Sequence, residues 1–220
     1  SGPTWITLLA AVFTGGTFIF PTFGIYPAAI ISALLAAACI LYWLWTSTSP
    51  IPEKDNKAVG LGLKLPIYAS GPESAGWWGM WITMLGDATA FISLVFGFFF
   101  YWTAKTDFPP AGSEHANLML ILSGGVILLA AWASTLYARD SNSRSHVRKA
   151  QAALVVGVLG SCAGLALIVW SVRSTGMDPQ AHVYPAIIHA LLLWLSAHVL
   201  VGVIMQCYCL AGSLFGKMTP

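Results

Sequence analysis

Six long apolar runs, separated by short polar stretches, dominate the chain. They cover about 5–21, 26–46, 77–102, 117–138, 150–172 and 183–213. Most reach the ~20 residues a helix needs to cross a bilayer. The pattern predicts an all-α, polytopic transmembrane helix bundle of about six spans. Pro21, Gly24 and Pro27 interrupt the first two runs and predict a tight hairpin. Residues 1–46 therefore read as a two-helix hairpin, 47–76 as a polar linker and 77–220 as a four-helix bundle. The linker carries Pro50, Pro52, Glu53, Lys54, Asp55, Lys57, Lys64 and Pro66. A compact hydrophilic turn from Arg139 to Lys149 is expected between the fourth and fifth helices. Gly157, Gly160 and Gly164 place small residues on or near one face of the fifth helix, as close helix packing requires. No internal repeat is visible, which weighs against an inverted-repeat transporter.

Composition sharpens this picture. Of 220 residues, 57% are hydrophobic and only 8% charged, whereas soluble domains carry about 25% charged residues. The chain reads as an integral membrane protein. The net charge of +2 gives no reason to expect nucleic acid. It begins Ser-Gly-Pro, with no basic region or cleavage signature, so it does not read as a signal peptide. It reads as a processed product or a piece of a longer polypeptide.

The distribution of cations sets an expected orientation. With the N-terminus inside, the inner face holds Lys54, Lys57, Lys64, Arg139, Arg144, Arg148, Lys149 and Lys217, and the outer face only Lys105 and Arg173. Both termini and the linker are expected on the cytoplasmic side. Trp77, Trp78 and Trp81 then mark the inner interface of the third helix, and Tyr101 with Trp102 the outer one. The basic turn containing Arg144 and Arg148 is a topology determinant and a candidate contact for anionic lipid headgroups.

Asp87 is the most informative residue, because it lies in the middle of the 26-residue apolar segment Trp77–Trp102. A carboxylate there is costly unless it is neutral or paired. Helical rise puts it roughly 15 Å above the inner interface. On the antiparallel sixth helix, His198 falls roughly 18–22 Å above the inner end. The similar depths make His198 the candidate partner. The alternative is that each bonds separately to hydroxyl or backbone groups.

Other chemistries find little support. His189 and His198 lie on opposite sides of one helix, ~13 Å apart along it, and do not share a metal. His115, His146 and His182 fall in loops or at helix ends. Cys39, Cys162 and the Cys207/Cys209 pair read as small apolar core residues. No phosphate loop, nucleophile–base pair or carboxylate pair appears. Ser196, near His198 in sequence, points to another face. The expected cofactor content of the chain itself is none, and no catalytic residues are assigned to it.

The third-helix run of leading tryptophans, Met80, Asp87 and Ala-Phe-Ile-Ser-Leu-Val-Phe-Gly-Phe-Phe-Phe-Tyr-Trp resembles subunit III of haem-copper cytochrome c oxidases. Pro109-Pro110, the Arg139–Lys149 turn and His198-Val199-Leu-Val-Gly202 are similar to further family features. Leu65-Pro-Ile-Tyr-Ala-Ser-Gly-Pro-Glu-Ser-Ala-Gly-Trp-Trp resembles forms in which subunit III is fused behind subunit I. The likeness covers about 60–213. It departs from the family at Asp87, often Glu; at Leu195, where the family has a second histidine; and in six helices rather than seven.

The resemblance implies an accessory subunit of a proton-pumping terminal oxidase in aerobic respiration. Subunit III packs on the catalytic subunit, retains phospholipid and supports proton uptake. The haem and copper belong to partner subunits I and II. It also implies that helices one and two splay from the rest to form a V-shaped, lipid-holding cleft. Asp87 and His198 would line or support that cleft, and Trp77 and Trp78 would flank it. The fusion-like linker favours a bacterial inner membrane. Two alternatives stand beside this reading. One is subunit III of a quinol oxidase. The other is a small proton-coupled carrier that uses Asp87.

Overall fold

The computed structural model describes residues 5–46, 56–66 and 74–217. Pro50, Pro52, Glu53, Lys54 and Asp55 of the linker, and residues 67–73 of the fusion-like segment, lie outside them. Six helices form: α1 (Trp5–Thr22), α2 (Tyr26–Thr46), α3 (Ala75–Ala104), α4 (Leu118–Ser143), α5 (Val147–Arg173) and α6 (Val183–Leu214). All six are long and apolar enough to cross a membrane. The chain divides into two compact units, residues 1–69 and 70–220.

In the first unit α1 packs on α2. The hairpin between them closes with a hydrogen-bonded helix stop. The Gly24 N–H donates to the Pro21 carbonyl and the Ile25 N–H to the Phe20 carbonyl, each at 3.0 Å. Gly24 supplies the left-handed conformation this stop needs, with φ +73°. The helices meet through small side chains. Ala29, Ser32 and Ala36 are buried, and a Cβ on Gly16 would lie 2.8 Å from the Ser32 hydroxyl.

Residues 56–66 of the linker form a hairpin that its polar composition does not suggest. β1 (Asn56–Gly60) and β2 (Leu63–Pro66) pair antiparallel. Leu61 and Gly62 form the two-residue turn, both at positive φ, the geometry that matches strand twist in tight hairpins.

The second unit is built on the α4–α5 hairpin. Gly124, Ala131 and Ala138 are buried on α4, and Ala150, Gly157 and Gly164 on α5. Ser171 continues the α5 row and is fully buried. Both rows repeat every seven residues, the period of a left-handed supercoil. Their small side chains bring the backbones together. A Cβ on Gly164 would stand 2.8 Å from the Gly124 carbonyl oxygen, and one on Gly160 3.1 Å from the Ala131 Cβ. The glycine triplet of the fifth helix therefore does serve close packing. Hydroxyls seal the seam: Ser134 Oγ donates to the Ala153 carbonyl at 2.8 Å, and Ser171 Oγ to the Asn117 carbonyl at 3.0 Å.

α4 continues through Arg139 and Asp140 to Ser143, so the expected long turn shrinks to residues 144–146. His146 N–H donates to the Ser141 carbonyl and Ser145 N–H to the Asn142 carbonyl, both at 2.9 Å. Ser145 takes the left-handed position, φ +61°. The polar residues read as loop from composition are helical here, with Arg139, Asp140 and Ser143 exposed on the last turns of α4.

α6 packs on α5, and α3 packs on α6. The expectation of core cysteines holds for neither Cys162 nor Cys207, which are exposed on their helices. A small apolar thiol is as acceptable facing lipid as facing a core.

Candidate functional site

Among the described residues, α3 meets α6 at an aromatic cluster and at a side-chain hydrogen bond. Near the 103–117 loop, Phe98 of α3 sits 5.4 Å from Phe108 and 6.4 Å from Tyr184 of α6, ring centre to ring centre. Tyr184 also bonds His115 Nδ1 through its hydroxyl at 3.1 Å. About 16 Å further along α3, His198 Nε2 lies 2.6 Å from Asp87 Oδ2. The two residues matched by depth in the sequence are thus direct partners, 111 positions apart in the chain.

α6 fixes the imidazole from its other side. His198 Nδ1 lies 2.7 Å from the Trp194 carbonyl oxygen, and the imidazole stacks on the Trp194 ring at 5.3 Å and 27°. A carbonyl oxygen only accepts, so Nδ1 carries a proton. Nε2 is left to meet the carboxyl group. One further proton then lies between Nε2 and Oδ2, giving either an imidazolium facing a carboxylate or a neutral imidazole facing a carboxylic acid. Both forms have no net charge, which is what a mid-membrane position demands.

The pair is open. The His198 and Asp87 side chains are 46% and 39% exposed, respectively. Asp87 Oδ1 has no hydrogen-bond partner among the described residues. The arrangement can therefore hold a proton, and its exposure lets it take that proton from a donor, or give it to an acceptor, brought up from outside the bundle. Trp194 was not singled out from sequence. Its position four residues before His198, on the same helical face, is the signal that could have found it.

The remaining candidates lie elsewhere. Trp77 and Trp78 sit in the first turn of α3, which is capped by Ser74 Oγ accepting from the Trp77 N–H at 3.2 Å. Their rings pack edge to face at 5.3 Å, with Trp81 5.6 Å from Trp77. All three are exposed. The first half of α3, including Ile82, Met84 and Leu85, thus presents apolar surface to its surroundings. Arg144 Nε pairs with Asp140 Oδ2 at 3.1 Å within α4's last turn, and Arg148 is exposed at the start of α5. Neither arginine is near Asp87 in the helix order. Ser196 Oγ donates to the Leu192 carbonyl at 2.7 Å, satisfied within its own helix.

Polar ties that the sequence did not reveal join the helices. Gln206 Nε2 donates to Thr135 Oγ1 at 2.8 Å, linking α6 to α4, and Gln151 Nε2 donates to Ser213 Oγ at 3.1 Å, linking α5 to α6. Among the described residues, no group of three or more His, Cys, Asp or Glu side chains gathers to hold a metal ion. No protein-family model matches the chain, and no curated protein matches it.

Proposed function

We propose that the chain is an accessory subunit III of a proton-pumping haem-copper terminal oxidase. It works beside catalytic subunit I and subunit II, which hold the haem and copper. The Asp87–His198 hydrogen bond between α3 and α6 is the observation that carries this reading. It joins, in one proton-holding unit, the acid of the aromatic third-helix run and the histidine of the His-Val-x-x-Gly run, the positions on which the family resemblance rests. In this role the pair steadies a proton near the entry surface of the catalytic subunit while taking no part in electron transfer. Exposed Trp77 and Trp78, with Arg144 and Arg148 across the bundle, meet phospholipid at the inner headgroup level. The proposed setting is a bacterial inner membrane with both termini cytoplasmic.

The test is mild purification through this chain, followed by a reduced-minus-oxidised visible spectrum and mass analysis of co-purifying chains. Haem bands that travel with a large histidine-rich partner are expected. The replacement Asp87→Ala should shorten sustained turnover and leave the haem spectrum unchanged; loss of haem in that variant would overturn the assigned roles. A colourless preparation of this chain alone, under conditions that keep oxidases intact, would turn attention to a carrier with Asp87 as its transport site.

A further inference from the structure

A hollow of about 590 Å³ lies between the last turns of α5 and the first half of α6. Arg173, Met177 and Pro179 line it near the 174–182 loop, and Val169, His189, Leu193 and Ser196 further along the helices. Its volume is that of a small-molecule site, about 300–1,000 Å³. It is separate from the Asp87–His198 pair, because nine residues of helix turn His189 to the opposite side of α6 from His198.

Two polar groups in this hollow lack partners. His189 Nδ1 is 2.8 Å from the Pro185 carbonyl oxygen, which only accepts, so Nδ1 carries a proton. Nε2 has no partner among the described residues, and in the neutral imidazole it is an acceptor. The Arg173 guanidinium also has no partner among the described residues, and it only donates. The 32 residues of α6 span about 48 Å. Centred on a ~30 Å hydrocarbon core, the helix projects about 9 Å beyond each face. His189, six residues in from Val183, then lies at the hydrocarbon boundary, with Ser196 about 10 Å deeper.

These positions define the chemistry of an occupant. It donates a hydrogen bond at the boundary, accepts one beside it, and carries an apolar tail. The ester groups of a phospholipid at this depth only accept. A quinol hydroxyl does both and is uncharged. An aromatic head also suits the walls, since a guanidinium packs on ring faces and a methionine sulfur on ring edges. A fatty acid would use neither contact.

We propose that this hollow binds an isoprenoid quinol. One ring hydroxyl donates to His189 Nε2, and Arg173 donates to the other ring oxygen. The tail descends between Val169 and Leu193 past Ser196. The proposal concerns binding alone; no bond is made or broken. It rests on α5 and α6 only, so its failure would leave the oxidase reading untouched.

The test uses the intact assembly purified through this chain and placed in phosphatidylcholine nanodiscs. An azido-substituted decyl benzoquinol is added without oxygen, so that it stays reduced, and is cross-linked by light. Mass analysis of peptides then reads the label on this chain. The wild type should be labelled within 169–196. His189→Leu should lower the labelling about tenfold, the loss of one hydrogen bond, and His189→Gln, which keeps an acceptor, should restore part of it. Arg139→Gln, outside the hollow, should change nothing. Unlabelled decyl benzoquinol should compete, and its dimethyl ether, which has no donor, should not. No labelling within 169–196 above the phospholipid background, or unchanged labelling in His189→Leu, would overturn the proposal. So would equal competition by the dimethyl ether, a readout that needs no variant to fold. Palmitic acid displacing the probe better than the quinol would also overturn it and make the hollow a fatty-acid site.

Discussion

A single proton governs the behaviour of the Asp87–His198 pair. Removing either side chain leaves the other without its partner, so the double variant should cost less than the sum of the two single variants. A cycle of Asp87→Ala, His198→Ala and the combination, followed by denaturation in detergent, should give a favourable coupling of about 1 kcal/mol. Interhelical hydrogen bonds in membranes reach ~0.6 to ~1.7 kcal/mol. Additive single-variant effects would mean that the contact contributes nothing to stability. The pairing was legible because a charged residue in an apolar run demands a partner at its own depth, and helical rise fixes depth well. The Trp194 clamp was legible only in part: its spacing of four from His198 puts both on one helical face, but nothing in the sequence says that the Trp194 carbonyl will accept the imidazole N–H. The amides of Gln206 and Gln151 cross between helices, and the sequence carries no marker for such a reach.

Among the elements, helix existence was plain and helix ends were not. Apolar runs report where lipid can be faced. They do not report where a helix continues with polar residues, and α4 outlasts its apolar run and ends at Ser143. The β1–β2 hairpin was hidden for a related reason: four to five residues per strand leave little room for alternation to emerge from a polar background. The α4–α5 turn invites a direct test. Ser145 holds a left-handed backbone that costs a non-glycine residue about 1–2 kcal/mol. Ser145→Gly should therefore raise the unfolding midpoint, and Ser145→Val, with a stiff branched side chain, should lower it. The seam makes a larger demand. Gly164→Val drives side-chain atoms into the Gly124 carbonyl and should destabilise the bundle by about 1–3 kcal/mol. Gly202→Ala, entering open space, should leave the midpoint unchanged.

At the scale of the whole molecule, the surface is largely apolar, and the thiols offer a way to read it. Cys162 and Cys207 are exposed and Cys39 and Cys209 half-buried. In detergent, an N-alkyl maleimide should modify the first two faster than the others. The reverse order would mean that α5 and α6 are rotated about their axes. The α4–α5 seam also sets what lengths this hairpin can have. A contact that recurs every seven residues is a ruler as well as a fastening. Deleting one residue from either helix turns everything beyond it by about 100°, swinging large side chains into places sized for glycine and alanine. Deleting seven from each restores the phase. The hairpin can therefore shorten or lengthen to suit a membrane only in steps of roughly 10 Å, a coarse adjustment that ties the chain to one bilayer thickness.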